Sequence, residues 1–231
     1  LSFVASEAIP AIKESKSIDL LKLSLNNSTV YNDLGAYAIN ETFSQSATFP
    51  FGTINGFFVS PTSVDAGIKK EKVNSTEVGL NLSMFSGRLT LDAAYAKTIT
   101  TDNIVNTTPS VSSGAGSFLT NIGELENTSY DFTLAGSLIR SNEEGGLNWN
   151  TAFTFSSAET IVNEIKEGVN SVNLGNRIYA VEGLTFPQIQ APSYVRDPQG
   201  NIVIDAANGN PLIGDLKPLG KTTPDYVIGW T

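Results

Sequence analysis

The sequence predicts an all-β fold, an antiparallel sheet that forms a segment of a transmembrane β-barrel with long loops at one rim. Three observations predict it: apolar and polar residues alternate over runs of roughly ten residues, the connections alternate short and long, and aromatic residues lie near the ends of the runs. Such runs match tilted membrane strands, whereas sandwich strands usually have about 5 to 6 residues. A soluble sandwich or a solenoid shares the alternation, so both remain alternatives.

The composition favours β structure and excludes several classes of function. Hydrophobic residues make up 40% and charged residues 16% of the 231 residues. Without Cys or His, the chain has no Cys/His zinc site, disulfide, Cys nucleophile or Ser-His-Asp triad. The net charge of −9 opposes nonspecific binding to nucleic acid or to anionic membrane surfaces. We therefore expect no enzyme activity, no cofactor and no nucleic-acid partner.

The first two predicted strands lie near the start of the chain, and apolar patterns are present at both of its ends. Residues 2–5 resemble the tail of a strand, and a second strand places Leu21, Leu23 and Leu25 on one face. The apolar patterns at the two ends are interrupted, the only Met is Met84, and neither a signal peptide nor an apolar run of about 20 residues is present. We therefore expect a part of a longer chain that makes one partial barrel domain over residues 1–231.

Two hairpins carry the clearest alternation. The first is joined by Ser86-Gly87, and the second by a polar turn over residues 141–146. The predicted apolar faces are Val78, Leu80, Leu82, Met84, Leu89, Leu91, Ala93 and Tyr95 in the first hairpin, and Tyr130, Phe132, Leu134, Leu138, Leu147, Trp149, Phe153 and Phe155 in the second. A last strand carries Tyr226, Ile228 and Trp230, and we expect Tyr95, Tyr130, Phe155, Tyr226 and Trp230 to form interfacial girdles.

The lengths of the connections between these strands predict which rim of the barrel is periplasmic and which is extracellular. Short links cover residues 6–17, 86–87 and 141–146, and long links cover residues 27–74, 100–129 and 157–224. Structureless connections beyond about 12 to 15 residues are uncommon in compact domains. Outer-membrane barrels combine short periplasmic turns with long extracellular loops, which accounts for all three long links at one end.

The candidate binding residues are five phenylalanines of the first long link: Phe43, Phe49, Phe51, Phe57 and Phe58. They either contact a substrate or a lid protein, or form a small core of the loop itself, and the second interpretation is the stronger. The carboxylates Glu71, Glu77, Asp92 and Asp102 are read as solvated rather than catalytic or metal-binding. We read Asp197-Pro-Gln-Gly200 and Asn208-Gly209 as turns.

Several segments resemble the SusC/RagA family of TonB-dependent outer-membrane transporters. Residues 67–82, GIKKEKVNSTEVGLNL, resemble the family segment LKPEKTTSYEIGLDL, and residues 85–95, FSGRLTLDAAY, resemble the following FNNRLNLDVTYY. Weaker matches, in the family's order, are LLKLS at 20–24, NIGELENTSYD at 121–131, LNWN at 147–150, YVRDPQGNIVID at 194–205, NGNP at 208–211 and LGKTTPDY at 219–226. Ser129 and Asp131 stand where the family usually has Gly and Glu.

The resemblance implies a 22-stranded barrel in the bacterial outer membrane, of which this chain would be the part without plug, TonB box and final strands. It implies active import of nutrients, oligosaccharides or peptides, with a SusD-like surface lipoprotein, membrane lipid and TonB as partners. The alternative is a soluble or surface-exposed β-sandwich that acts as an adhesin or glycan-binding module. A β-helical hydrolase is least favoured, because no regular short repeat is present.

Overall fold

The computed structural model describes residues 1–40, 42–46, 50, 52–141, 143, 145–165 and 169–231. Nearly all regular structure in these residues is β. The strands are β1 Ser2–Val4, β2 Ile18–Asn32, β3 Phe43–Gln45, β4 Phe57–Val59, β5 Thr62–Val64, β6 Glu71–Met84, β7 Leu89–Thr107, β8 Ser117–Ile139, β9 Trp149–Glu164, β10 Ser171–Asn173, β11 Ile178–Val181, β12 Gln188–Tyr194, β13 Ile213–Lys221 and β14 Val227–Trp230. The helices are α1 Ala5–Ala8 and α2 Pro10–Lys13, and Val111–Ser113 forms a 3₁₀ turn.

One large sheet organises the molecule. Its order is β1-β2-β6-β7-β8-β9-β14, all antiparallel, and β5 adds to β8 in parallel. Each strand in this order is paired with its predecessor among the seven, as in an up-and-down barrel wall. The sheet is open, with β1 and β14 at its two edges. Within the described residues, no helix has the length and hydropathy that crossing a membrane requires.

The connections confirm the predicted alternation at the two ends of this sheet in part. At one end, α1 and α2 join β1 to β2, a tight turn joins β6 to β7, and residues 140–148 join β8 to β9. The turn covers residues 85–88, in which Phe85, Ser86 and Gly87 adopt positive φ angles of 58°, 58° and 73° and Arg88 donates its backbone N–H to the Phe85 carbonyl around the predicted Ser86-Gly87 pair. The connections at the opposite end are residues 33–70, 108–116 and 165–226; the first and the last are long, whereas 108–116 is no longer than 140–148.

The predicted long link over residues 100–129 is wrong. β7 and β8 continue through most of it as one long hairpin, and only residues 108–116 form the connection. β2 and β6 likewise extend beyond their predicted ends, to Asn32 and back to Glu71. These extensions do not alternate regularly in polarity, because their few apolar side chains, such as Ile122 and Leu125, pack into a local core rather than along one continuous face, so a pattern based on two different faces misses them.

Two smaller sheets lie at the end with the long connections. β10, β11, β12 and β13 form a four-stranded antiparallel sheet from residues 171–221, and β3 pairs with β4. The predicted turns are confirmed: Gly200 donates its backbone N–H to the Asp197 carbonyl, and Gly209 donates to the Asp205 carbonyl, both with positive φ at the glycine. The long link after β9 is therefore a folded region rather than a structureless loop.

Candidate functional site

The large sheet carries a continuous apolar surface on one face. The strand registers align three neighbouring rows across β2, β6, β7, β8 and β9. We call these rows the apolar band: Leu25, Val78, Tyr95, Tyr130 and Ser157, then Leu23, Leu80, Ala93, Phe132 and Phe155, and then Leu21, Leu82, Leu91, Leu134 and Phe153. Most of these side chains are at least partly exposed, with Val78 at 47% and Tyr130 at 52%.

The polarity of this face changes within one step along the strands. Two residues beyond the Leu25–Ser157 row, the register aligns what we call the boundary row: Asn27, Thr76, Lys97, Thr128 and Glu159. Every member is polar or charged. Asn27 Nδ2 donates to Thr76 Oγ1 at 2.7 Å, and Lys97 Nζ lies 2.7 Å from Glu126 Oε1. The apolar band therefore has a sharp upper limit that runs across five strands.

Aromatic rings mark this limit. The rings of Tyr95 and Tyr130 lie 5.2 Å apart, and Phe155 stacks on Tyr226 at 6.1 Å. Of the five aromatic residues predicted for girdles, Tyr95, Tyr130 and Tyr226 lie along the limit, while Trp230 pairs lower, opposite Phe153. Between Tyr130 and Leu138 on β8, eight residue steps span about 27 Å of strand, the length needed for a tilted strand to cross an apolar layer.

The other face of the same strands is polar and made of small residues. Its members include Asn81, whose amide donates to the Asp92 carboxylate, and Gly79, which lies opposite Ser24. A Cβ added at Gly79 would lie 2.5 Å from Ser24 Oγ, so a larger residue here would require the Ser24 hydroxyl to move. The two faces of the sheet therefore meet different environments, as the alternation predicted.

The apolar band is not the inner layer of a sandwich. In the described residues the core of buried apolar side chains lies elsewhere, and the large apolar side chains of the band are exposed or half-buried. A β-sandwich buries this face against a second sheet about 10 Å away. The sandwich alternative is therefore wrong for this fold.

Buried apolar side chains concentrate instead at the end with the long connections. We call this cluster the loop-end core: Ile122, Leu125, Val162, Ile165 and Ala180. Ile122 is 1% exposed and Val162 is fully buried. Gly123, with a φ of 31°, lets β8 pass close to β9, because a Cβ there would overlap the Glu164 carbonyl oxygen. The core joins the extended strands β8 and β9 to the four-stranded sheet.

The candidate phenylalanines that the structure describes are surface residues. The register of β3 and β4 places Phe43 and Phe57 on one face of this hairpin and Phe58 on the other. Phe43 is 73% exposed, Phe57 is 64% exposed and Phe58 is 49% exposed, so they do not form a core of the loop. Phe49 and Phe51 lie outside the described residues.

A concavity of about 670 Å³ lies beside this hairpin in the connection from β2 to β6. Its lining includes Tyr37, Thr42, Ser60 and Asp65, and an ion pair joins Asp33 to Lys70 at 3.4 Å among its lining residues. Polar contacts fix this connection to β8. The most direct is the amide of Asn121, which accepts from the Lys69 backbone N–H at 2.8 Å and donates to the Lys69 carbonyl at 3.0 Å.

The carboxylates that the sequence singled out act separately. Glu71 accepts hydrogen bonds from Asn103 Nδ2 at 2.7 Å and from the Ile104 backbone N–H at 3.0 Å. Asp102 lies 3.6 Å from Lys69 Nζ. In the part of the chain that the structure describes, no three acidic groups come together where they could hold a metal ion.

Two ionisable groups of the last long connection have shifted pKa values. Asn201 donates side-chain and backbone hydrogen bonds to Asp197, which lowers the pKa of this carboxyl. Asp225 accepts a hydrogen bond from Lys221 at 2.7 Å, which raises the pKa of the Lys221 ammonium, and Glu159 adds a weaker attraction. Lys221 thereby ties β13 to β9 and to the segment before β14.

Comparisons with known proteins agree with this architecture. Residues 22–218, well over half of the chain, match the family model described as TonB dependent receptor-like, beta-barrel. TonB-dependent receptor P3 of Formosa agariphila is 28% identical over 205 residues, which are 77% of this chain and 20% of the relative. TonB-dependent receptor P26 of the same organism is 28% identical over 69% of this chain and 18% of the relative.

Solved structures share the fold. A structure of the RagAB peptide transporter matches with a TM-score of 0.77 and 19% identity, and covers 99% of this chain and 26% of that chain. The RagAB peptide importer in its 'closed-closed' state matches with a TM-score of 0.74, also at 19% identity, over 99% of this chain and 26% of that chain. The chain thus spans about a fifth of the length of these curated relatives and about a quarter of the solved chains.

Proposed function

Because the chain belongs to the TonB dependent receptor-like β-barrel family, we propose that it forms part of the barrel wall of an outer-membrane nutrient importer. The observation that carries the proposal is the step from the apolar band to the boundary row across five strands. Hydrocarbon covers the band, and the boundary row lies at the level of the outer head groups. The polar face then lines the interior, along which cargo passes.

The hairpin of β3 and β4 is the proposed contact site for a partner or a cargo. Exposed phenylalanine rings bury large apolar areas on contact, and rings also stack on sugars and on apolar side chains of peptides. The similar RagAB structures are described as peptide transporters or importers. We propose that Phe43, Phe57 and Phe58, together with Phe49 and Phe51, contact a SusD-like surface lipoprotein or the enclosed oligosaccharide or peptide.

The chain supplies a rigid part of the barrel wall and a recognition surface. The energy for transport comes from TonB and not from these residues. Long paired strands with a separate loop-end core hold the loop positions fixed relative to the membrane. TonB would act on parts of the protein beyond these residues. The wall and loops then keep the interior sealed against lipid and present the outer surface to the lipoprotein.

Uptake in living cells tests this proposal. The complete protein should carry Phe43, Phe57 and Phe58 replaced together by Ser, and its control should carry Leu147→Ser, an exposed apolar residue at the opposite end of the sheet. We expect the triple variant to assemble normally but to lose uptake of labelled oligosaccharide or peptide and retention of the lipoprotein. Uptake that persists after deletion of TonB would refute the importer proposal, and full activity of the triple variant would refute the contact site.

A further inference from the structure

The apolar band contains a groove that a flat lipid-facing wall does not need. Ala93 forms its floor, because a single methyl group lies between the larger side chains of Leu80 and Phe132 in the same row. Phe153 and Phe155 bound the groove on one side and Leu23 on the other. Its volume is about 560 Å³.

The groove lies among the central strands, well inside the sheet. Its lining comes from β2, β6, β7, β8 and β9, and β1 and β14 separate it from both edges. Neighbouring barrel strands add at those edges and therefore do not cover it. Because the groove is continuous with the apolar band, whatever fills it comes from the surroundings of the band.

The two ends of the groove differ in polarity. Tyr95 and Tyr130, whose rings lie 5.2 Å apart, close it at the limit of the band. Directly beyond them, Thr128 of the boundary row presents a hydroxyl group, and Lys97 presents an ammonium group that is ion-paired with Glu126 at 2.7 Å and keeps further N–H donors. These donors match the ester and phosphate oxygens of a lipid head, while the groove matches an unbranched hydrocarbon chain.

We propose that this groove binds one acyl chain of an outer-leaflet lipid, with the lipid head group against Lys97 and Thr128. The inference rests on the proposed membrane function and adds a specific lipid site to it. The rings of Phe153 and Phe155 distinguish the site from the rest of the band, because they bound the groove on one side while Leu23 bounds it on the other. The edge contact of Phe132 with Phe153, at 6.4 Å, fixes one wall.

Retention of lipid by the purified complete protein tests the site. Ala93→Phe fills the floor of the groove, and Leu91→Phe adds a ring on the same face outside the lining. After stepwise removal of detergent-soluble lipid, native mass spectrometry should show a retained outer-membrane lipid on the unaltered protein and on L91F, and loss of most of it on A93F. Equal retention by A93F would overturn the proposal, as would a retained mass that belongs to the acylated anchor of a lipoprotein.

A measurement on the unaltered protein covers the case in which A93F does not assemble. In nanodiscs of outer-membrane lipid extract, a density map should show an elongated feature over Ala93 that ends at Tyr95 and Tyr130. An empty groove in a protein whose apolar band is otherwise surrounded by lipid would refute the acyl-chain site and leave the barrel proposal intact. A band that is in contact with water would refute both.

Discussion

The apolar side chains of β8 and β9 have opposite fates at the two ends of these strands. In the loop-end core, Ile122 and Val162 are almost completely buried by other parts of the chain. In the apolar band, Leu134 and Phe153 on the same two strands remain partly exposed. β8 and β9 stay paired from the band as far as Glu124 and Glu164, with a register shift at Leu125, so pairing alone does not cause the difference.

The proposed barrel accounts for this difference. At the loop end, water surrounds the protein, and apolar side chains are stabilised only when other protein atoms cover them. Along the band of the proposed barrel, lipid chains provide the cover, so burial by protein is not needed. At the boundary row, cover by protein atoms gives way to cover by lipid chains. Substitutions on its two sides should therefore change the free energy of unfolding by different amounts.

The largest expected effect separates a protein core from a lipid-covered surface. Ile122→Ala should destabilise the complete protein by up to about 5 kcal/mol, because it removes buried methyl and methylene groups and leaves a cavity. Leu82→Ala should cost only the transfer term of about 2 kcal/mol, because mobile lipid fills the gap. Urea unfolding in liposomes measures both losses of stability. Equal losses would contradict the account in which protein covers Ile122 and lipid covers Leu82.

A charge placed in the band should cost nearly as much. Leu80→Arg should destabilise the barrel by up to about 4 kcal/mol, since a guanidinium within the hydrocarbon layer loses hydration. The matched variant Asn81→Arg, one residue along β6 on the polar face, should cost far less. The amount of folded protein in the outer membrane reports the difference, and an equal loss for both would argue against a lipid-facing Leu80.

The ion pair just above the band should contribute little. Lys97 and Glu126 remain partly exposed to solvent, so their coupling free energy should be about 0.2 to 1 kcal/mol. A double-mutant cycle with Lys97→Met and Glu126→Gln measures it, and added salt should reduce it. A coupling several times larger would mean that the apolar layer extends over the boundary row.

The smallest expected effect is a pH dependence far from the membrane. Because the pKa of Asp197 is lowered in the folded state, its contribution to the turn is complete above the ordinary carboxyl pKa and is lost as pH falls through the lowered value. Hydrogen exchange of the Gln199 and Asn201 amides, corrected for intrinsic rates, should accelerate over that range. Asp197→Asn should show fast exchange already at neutral pH, whereas Asp215→Asn on β13 should not.

Sequence reasoning succeeded where two environments imposed a pattern. The hairpin of β6 and β7 and its Ser86-Gly87 turn could be predicted because lipid and a wet interior select alternate residues. The family resemblance is confirmed at the level of TonB-dependent receptors and of the fold. Beyond the membrane limit the continuation of β7 to Thr107 is mostly polar, with Val105 packed against the loop-end core, so it left no regular alternating signal.

Only part of the candidate site could be predicted from the sequence. The phenylalanines of β3 and β4 could be found by composition, and the structure describes Phe43, Phe57 and Phe58 as exposed rather than buried. Contact with a partner or a cargo remains a prediction. The boundary row could not be read from the sequence, because it requires the register between strands that are up to 132 residues apart, from Asn27 to Glu159. The polar residues at those positions were the available signal.

The most direct test of the account is a nitroxide scan along residues 76–84 of β6 in the complete protein. Because the chain contains no Cys, a single Cys that carries the nitroxide can be introduced at each position in turn. Labels at Val78, Leu80 and Leu82 should be accessible to oxygen dissolved in lipid, and labels at Gly79, Asn81 and Ser83 to a water-soluble nickel chelate, with water access returning on the apolar side at Thr76. Strong access of the nickel chelate to the labels at Leu80 and Leu82 would contradict the account.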